Sequence, residues 1–213
     1  MELIDLDTKN RCIKPFPIEY GRGGLINDDT ILSCNSYDTF NCYSMSLNDL
    51  QPKLLNFTLK PRNYPASVVL DTGRFWLTGG SQPTNFSIRT DDTEIISQTD
   101  VKPGPTLPEP IDGHCMVRIN STTIALLSGK VSGSNTDKTW FIHTNTEPWM
   151  KVAGPTVNTA RYIPGCAKFE FKGDTFLALM GSGQPQHAKK VEFLKIKDTN
   201  WITGKNWNLF SED

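Results

Sequence analysis

Apolar residues along this chain fall in short runs. Val68-Val69-Leu70, Phe75-Trp76-Leu77, Ile124-Ala125-Leu126-Leu127 and Phe176-Leu177-Ala178-Leu179-Met180 are separated by polar turn-formers: Asn27-Asp28-Asp29, Asp71-Thr72-Gly73, Asn120-Ser121 and Lys172-Gly173-Asp174. Few windows place apolar residues three and four apart, as a helix facing a core requires. Short β-rich runs with turn signals at regular spacing predict an all-β domain. The 16 Gly and 14 Pro spread along the chain agree, since neither suits a helix interior.

The runs repeat. Leu32-Ser33-Cys34-Asn35 aligns with Leu77-Thr78-Gly79-Gly80 at an offset of 45, with Leu126-Leu127-Ser128-Gly129 a further 49 on, and with Ala178-Leu179-Met180-Gly181 another 52 on. Before each copy lie an apolar strand (residues 24–26, 65–70, 113–119 and 164–169) and a turn. After each come a polar loop and a third strand: Asn41-Cys42-Tyr43-Ser44-Met45, Thr93-Glu94-Ile95-Ile96, Thr139-Trp140-Phe141-Ile142 and Val191-Glu192-Phe193-Leu194. A fourth segment carries Gly104-Pro105 and Gly154-Pro155, 50 apart. Arg62-Asn63-Tyr64-Pro65 and Arg161-Tyr162-Ile163-Pro164 lie 99 apart, two periods. Four short strands per unit of about 50 residues is the pattern of propeller blades, each of which needs neighbours to cover its two apolar faces.

These units resemble the Kelch motif, in which the second strand ends in Gly-Gly, a Tyr stands on the third and a Trp opens the fourth. Gly79-Gly80 keeps the pair, Ser128-Gly129 and Met180-Gly181 keep one Gly each, and Cys34-Asn35 keeps none. Tyr43 fills the Tyr position, with Trp140 or Phe141 and Phe193 as aromatic equivalents; Trp149 and Trp201 fill the Trp position, which is missing from the second unit. The flow from Pro65 through Gly80 to Gly113-His114-Cys115-Met116-Val117 is similar to Kelch-like proteins of invertebrates, many of them secreted. The resemblance covers roughly residues 20–213 and implies a Kelch-type β-propeller with four-stranded blades at 17–61, 62–111, 112–160 and 161–213. Residues 1–16 then read as the last two strands of an earlier blade. Kelch propellers usually close with six or seven blades, so about four and a half make an incomplete or open one. A fragment of a longer propeller and an arc completed by another copy are both expected readings, and a closed four-bladed ring is allowed by length. An open arc exposes an unpaired edge and an apolar face at each end, which invites self-association.

Charge narrows the functional classes. The chain has 213 residues, 22 Lys+Arg against 23 Asp+Glu, and a net charge of −1. That balance excludes a basic nucleic-acid-binding protein and an acidic disordered tail. No run of about 18 apolar residues offers a membrane span. The opening Met1-Glu2-Leu3-Ile4-Asp5-Leu6-Asp7 lacks the regions of a secretory signal. The resemblance and three N-x-[ST] sequons, with acceptors Asn56, Asn85 and Asn120, point to an extracellular glycoprotein; a cytoplasmic chain is the alternative. Chance alone supplies about as many sequons in a chain this rich in Asn, Ser and Thr.

Chemistry is sparse. Cys12, Cys34, Cys42, Cys115 and Cys166 show no metal-ligand spacing, and their default reading is small buried hydrophobes. A Cys34–Cys42 disulfide across neighbouring strands is one alternative, and Cys12 could serve either partner. His114, His143 and His187 are far apart, and no cofactor motif or nucleophile elbow occurs. No cofactor, metal or catalytic residue is therefore expected. The expected function is a non-catalytic interaction protein that presents propeller loops to a protein or glycan. Two alternatives are part of a larger propeller enzyme, an oxidase or glycan-active one, and a self-associating structural extracellular protein. In Kelch propellers the binding face is lined by the loop leading into each blade and the loop between its second and third strands. Carried onto this chain, that implies Arg62, Tyr64, His114, Arg161, Tyr162, Gln184 and His187 as partner-binding residues. Bracing of the fold by buried Arg62 and Arg161 is the competing reading.

Overall fold

The computed structural model describes residues 2–4, 11–13, 21–34, 40–187 and 189–204. Strands β1 (Glu2–Ile4) and β2 (Arg11–Ile13) pair antiparallel, with Glu2 opposite Ile13. Sheet one is the meander β3 (Arg22–Leu25), β4 (Thr30–Cys34), β5 (Asn41–Ser46) and β6 (Pro52–Thr58). Sheet two begins with β7 (Ala66–Val69) and β8 (Phe75–Thr78). A separate small hairpin, β9 (Ser81–Gln82) and β10 (Asn85–Arg89), intervenes before β11 (Thr93–Ile96) and β12 (Val101–Pro103). Sheet three follows the same plan: β13 (Cys115–Arg118), β14 (Thr123–Leu127), the hairpin β15 (Lys130–Val131) and β16 (Ser134–Asn135), then β17 (Thr139–His143) and β18 (Met150–Ala153). Sheet four holds β19 (Gly165–Phe171), β20 (Asp174–Met180), β21 (Val191–Lys195) and β22 (Ile202–Thr203), with one 3-10 turn at Pro185–His187 where sheets two and three carry hairpins. The fold is thus all-β, built of several antiparallel sheets, none closed on itself. Among the described residues there is no α-helix, and no helix long and apolar enough to cross a membrane.

Turn chemistry fixes the meanders. Between β7 and β8 the chain reverses at Asp71-Thr72-Gly73, where Gly73 adopts φ 72° and donates its N–H to the Leu70 carbonyl at 3.0 Å. Between β19 and β20 the two-residue turn Lys172-Gly173 has φ 49° and 79°, the mirror-image turn whose twist matches that of the strands.

Side chains alternate across each strand, so each sheet offers two apolar faces. Phe75 and Leu77 of β8 pack with Ile26, Leu32, Leu55 and Leu59 of sheet one and its edge. Trp76, between them, faces the other way, onto Met116, Ile124, Leu126 and Ile142 of sheet three. In β14, Ala125 and Leu127 turn from that cluster to Leu177, Leu179 and Leu194 of sheet four. The sheets therefore stack in chain order, each covering its neighbour, with the first strands side by side: β3 by β7, β7 by β13, β13 by β19. Fully burying one of these aliphatic side chains is worth roughly 1.5–3 kcal/mol, so each interface is a core in its own right.

Strand register refines the sequence alignment. The first residue of the leading strand pairs with Cys34, Thr78, Leu127 and Met180 in the four sheets. These four positions are equivalent, so the alignment by composition is one residue out in the first and fourth copies. Leu179, not Ala178, stands where Leu77 and Leu126 stand, paired with Glu192, Glu94 and Trp140 respectively on the third strands.

The cysteines depart from the expected buried thiols. Cys34 and Cys42, paired across β4 and β5, form a disulfide buried in the first core cluster. Cys115 and Cys166 form a second, joining β13 to β19 and so cross-linking sheets three and four over 51 residues. Side-by-side leading strands create this proximity, which no short-range pattern announces. The side chain of Cys12 lies outside the described residues.

Candidate functional site

One end of the stack gathers the loops that lead into the sheets and the small hairpins that leave them. Tyr64, Gly113 and Ile163 occupy the same place in three successive lead-in loops, at φ 53°, 59° and 53°. Gly113 donates its N–H to the Tyr64 carbonyl and accepts at its own carbonyl from Ile163, both at 2.8 Å, so the loops form a hydrogen-bonded string. Only glycine takes this conformation without cost, and Ile163 is the most strained of the three because its Cβ is branched. Gly113 is needed for a second reason. A Cβ there would lie 2.3 Å from the ring of Tyr162, which rests on this glycine. The hairpins join the string through backbone bridges, Asn63 with Ser81 and Asp112 with Lys130.

Aromatic rings collect on this string. Tyr64 and Tyr162 meet edge to face with centroids 5.7 Å apart, and Phe86 of β10 lies 6.3 Å from Tyr64. Lys130 Nζ stands 5.6 Å from the centroid of Tyr162. Phe86 is 47% exposed and Ile88 46%, while both tyrosines are half-buried. Beneath them Arg89 Nε donates to Asp112 Oδ1 at 2.9 Å, with both side chains almost out of water. Burial raises the Asp112 carboxyl against the opposing pull of Arg89. Burial, then the Asp112 charge and Tyr64, holds the Tyr162 hydroxyl well above the usual phenol range, so it stays neutral. Asn135 Nδ2 donates to Gln184 Oε1 at 2.7 Å, tying the β15–β16 hairpin to the corresponding loop of sheet four.

The residues proposed from sequence divide sharply. Tyr64, Tyr162 and Gln184 lie at this end and keep part of their surface. His187 closes the 3-10 turn beside Gln184, its side chain outside the described residues. Arg62, His114 and Arg161 are 2%, 3% and 0% exposed, so they have no surface to offer a partner and belong to the interior. Arg62 donates to Glu94 Oε2 at 3.0 Å and to the carbonyls of Gly79 and Asp92 at 3.1 and 2.9 Å. Arg161 does the same with Glu192 Oε1 at 2.6 Å and with the carbonyls of Gly181 and Lys190 at 3.2 and 2.5 Å. Each ties its lead-in loop to the second and third strands of its own sheet. The free carboxylate oxygens accept the backbone N–H of Lys60 and of Asn158. His114 Nε2 is 2.9 Å from Thr78 Oγ1; burial, then the charge of Arg22, pushes the imidazole down to about 3, so it is neutral. His143 lies on β17, 3.3 Å from Thr123 Oγ1, apart from His114. Among the described residues no three His, Cys, Asp or Glu form a group able to hold a metal ion.

Sequence reasoning missed the glutamates and the Arg89–Asp112 pair. The glutamates had a signal: Glu94 and Glu192 occur in the same two units as Arg62 and Arg161, and the third unit has neither charge. The Arg89–Asp112 pair had none, because the hairpin that carries Arg89 has no arginine at its counterpart in sheet three, Ser134-Asn135. No known protein family matches the chain, and no curated protein matches it either.

Proposed function

We propose that the chain is a non-catalytic interaction protein of the Kelch-type propeller class. It is extracellular and presents the lead-in-loop end of its sheets to a protein or glycan partner. The observation that carries this reading is the Tyr64–Tyr162–Phe86 cluster with Lys130 beside it. Large amphipathic rings held by a rigid backbone string give contact area at low entropic cost, the composition of binding hot spots. The propeller reading draws on the four stacked meanders, whose leading strands lie side by side. The extracellular reading draws on the two disulfides, which an oxidising compartment favours.

The test is binding of the purified chain to panels of defined glycans and of extracellular protein domains. For any ligand found, the double substitution Tyr64→Ala with Phe86→Ala is expected to weaken affinity on the order of 10- to 100-fold. Met150→Ala, on the last strand of sheet three, should leave it unchanged. Equal affinity in the double variant and the parent contradicts this placement of the binding face.

A further inference from the structure

We propose that Asn120 is an N-glycan acceptor, an inference that rests on the extracellular reading. Asn120-Ser121-Thr122 forms the turn between β13 and β14, and Asn120 is exposed. Its Oδ1 accepts two hydrogen bonds from the sequon's own third residue, from Thr122 N at 2.9 Å and from Thr122 Oγ1 at 3.3 Å. The side-chain nitrogen is left free of the turn. Donors on Oδ1 matter chemically, because the amide nitrogen becomes nucleophilic as it gives up a proton, and the imidate that results shares its negative charge with Oδ1. Charge then gathers on that oxygen, where the hydroxyl and backbone N–H stabilise it. The other two sequons lack this arrangement. Asn85 Oδ1 receives only the backbone N–H of Ser87, at 3.0 Å, and Asn56 lies within strand β6.

The co-reactant is an oligosaccharide carried on a lipid diphosphate, delivered by a transferase of the secretory compartment. Asn120 Nδ2 attacks the anomeric carbon of the first sugar. The new C–N bond replaces the C–O bond to the diphosphate, which leaves with its electron pair, and the Nδ2 proton passes to a base of the transferase. The same compartment would form Cys34–Cys42 and Cys115–Cys166.

Peptide mass mapping of the chain from its native source, under non-reducing conditions, reads glycan and disulfides together. The expected result is a glycan on Asn120 that an N-glycan amidase removes, leaving Asp. In the full chain secreted from a eukaryotic host, Thr122→Ala and Asn120→Gln should each lose that glycan's mass, while Thr122→Ser keeps it. Formed disulfides with a bare Asn120 overturn the inference and leave the extracellular reading standing. Free cysteines with a bare Asn120 overturn both.

Discussion

Sheets two and four solve a packing problem with charge, and sheet three solves the same problem without it. At the base of their lead-in loops, sheets two and four bury Arg62–Glu94 and Arg161–Glu192. Sheet three has Ile111 and Trp140 in those places. The equivalence is geometric: Gly80 N donates to the Ile111 carbonyl as Gly129 N donates to that of Arg161, each at 2.8 Å. Trp140 pairs with Leu126 as Glu94 pairs with Leu77. The substitution is consistent down to the backbone. Leu107 and Val157 make matching bonds to Asp91 and Asp137, which sets Pro108 where Asn158 stands. Asn158 N donates to Glu192, whereas proline has no N–H and the third strand of sheet three carries Trp140 in place of the glutamate. Ile111 is 1% exposed, and Trp140 packs against the same cluster. The loop needs a buried plug that bridges it to the third strand, and a charge pair or an apolar pair will serve. This agrees with the general finding that buried ion pairs contribute little net stability but are costly to break.

Breaking one pair should give the largest effect. Arg161→Ile leaves Glu192, which is 0% exposed, without its cation. A loss of about 3–5 kcal/mol is expected in denaturant unfolding at neutral pH. A cost under about 1 kcal/mol would show that the carboxylate finds water or a proton, and that the interior is less dry than described.

The disulfides sharpen the contrast between neighbours. Cys115–Cys166 closes 51 residues and Cys34–Cys42 only 8. Loop-closure entropy puts their contributions at about 4 and about 2.5 kcal/mol. Replacing the first pair by Ala should therefore lower the unfolding midpoint more than replacing the second. The reverse order would mean that sheets three and four hold together without their cross-link.

An effect confined to acid pH separates His114 from Pro65 and Pro164, which precede the leading strands of sheets two and four. Burial holds the folded imidazole at about 3, against about 6.5 in an unfolded chain. The neutral form is thus favoured by folding. Its contribution is complete above pH 6.5 and declines by about 1.4 kcal/mol per unit as pH falls toward 3. His114→Gln should flatten that part of the stability curve, measured by urea unfolding across this range. An unchanged slope would place the acid sensitivity elsewhere.

The strands were legible in the sequence because their signal is local. Phe75-Trp76-Leu77 and Ile124 to Leu127 are apolar throughout, as strands covered on both faces must be, and Lys172-Gly173 announces its own turn. Surface and interior were not legible at the lead-in loops. Arg62 and Arg161 carry the residue type of a binding site at the spacing of the repeat, and nothing in one dimension says that a carboxylate 31 or 32 positions later will bury them. Comparing units would have helped, since the argininyl and glutamyl positions change together in the third. Tyr64 and Tyr162 were found from the same loops, but their contact with each other depends on the stacking of sheets two, three and four.

The most direct test of the repeated module is to give sheet two the plug of sheet three. Lys60, whose N–H would lose its acceptor, is an exposed residue at a part-buried contact, where water is at hand to replace the carboxylate. The double substitution Arg62→Ile with Glu94→Trp is expected to unfold within about 1 kcal/mol of the parent chain in guanidinium, while Arg62→Ile alone loses about 3–5. If the double variant is as unstable as the single one, the two positions are not equivalent across the sheets, and the account of one module used in tandem is wrong.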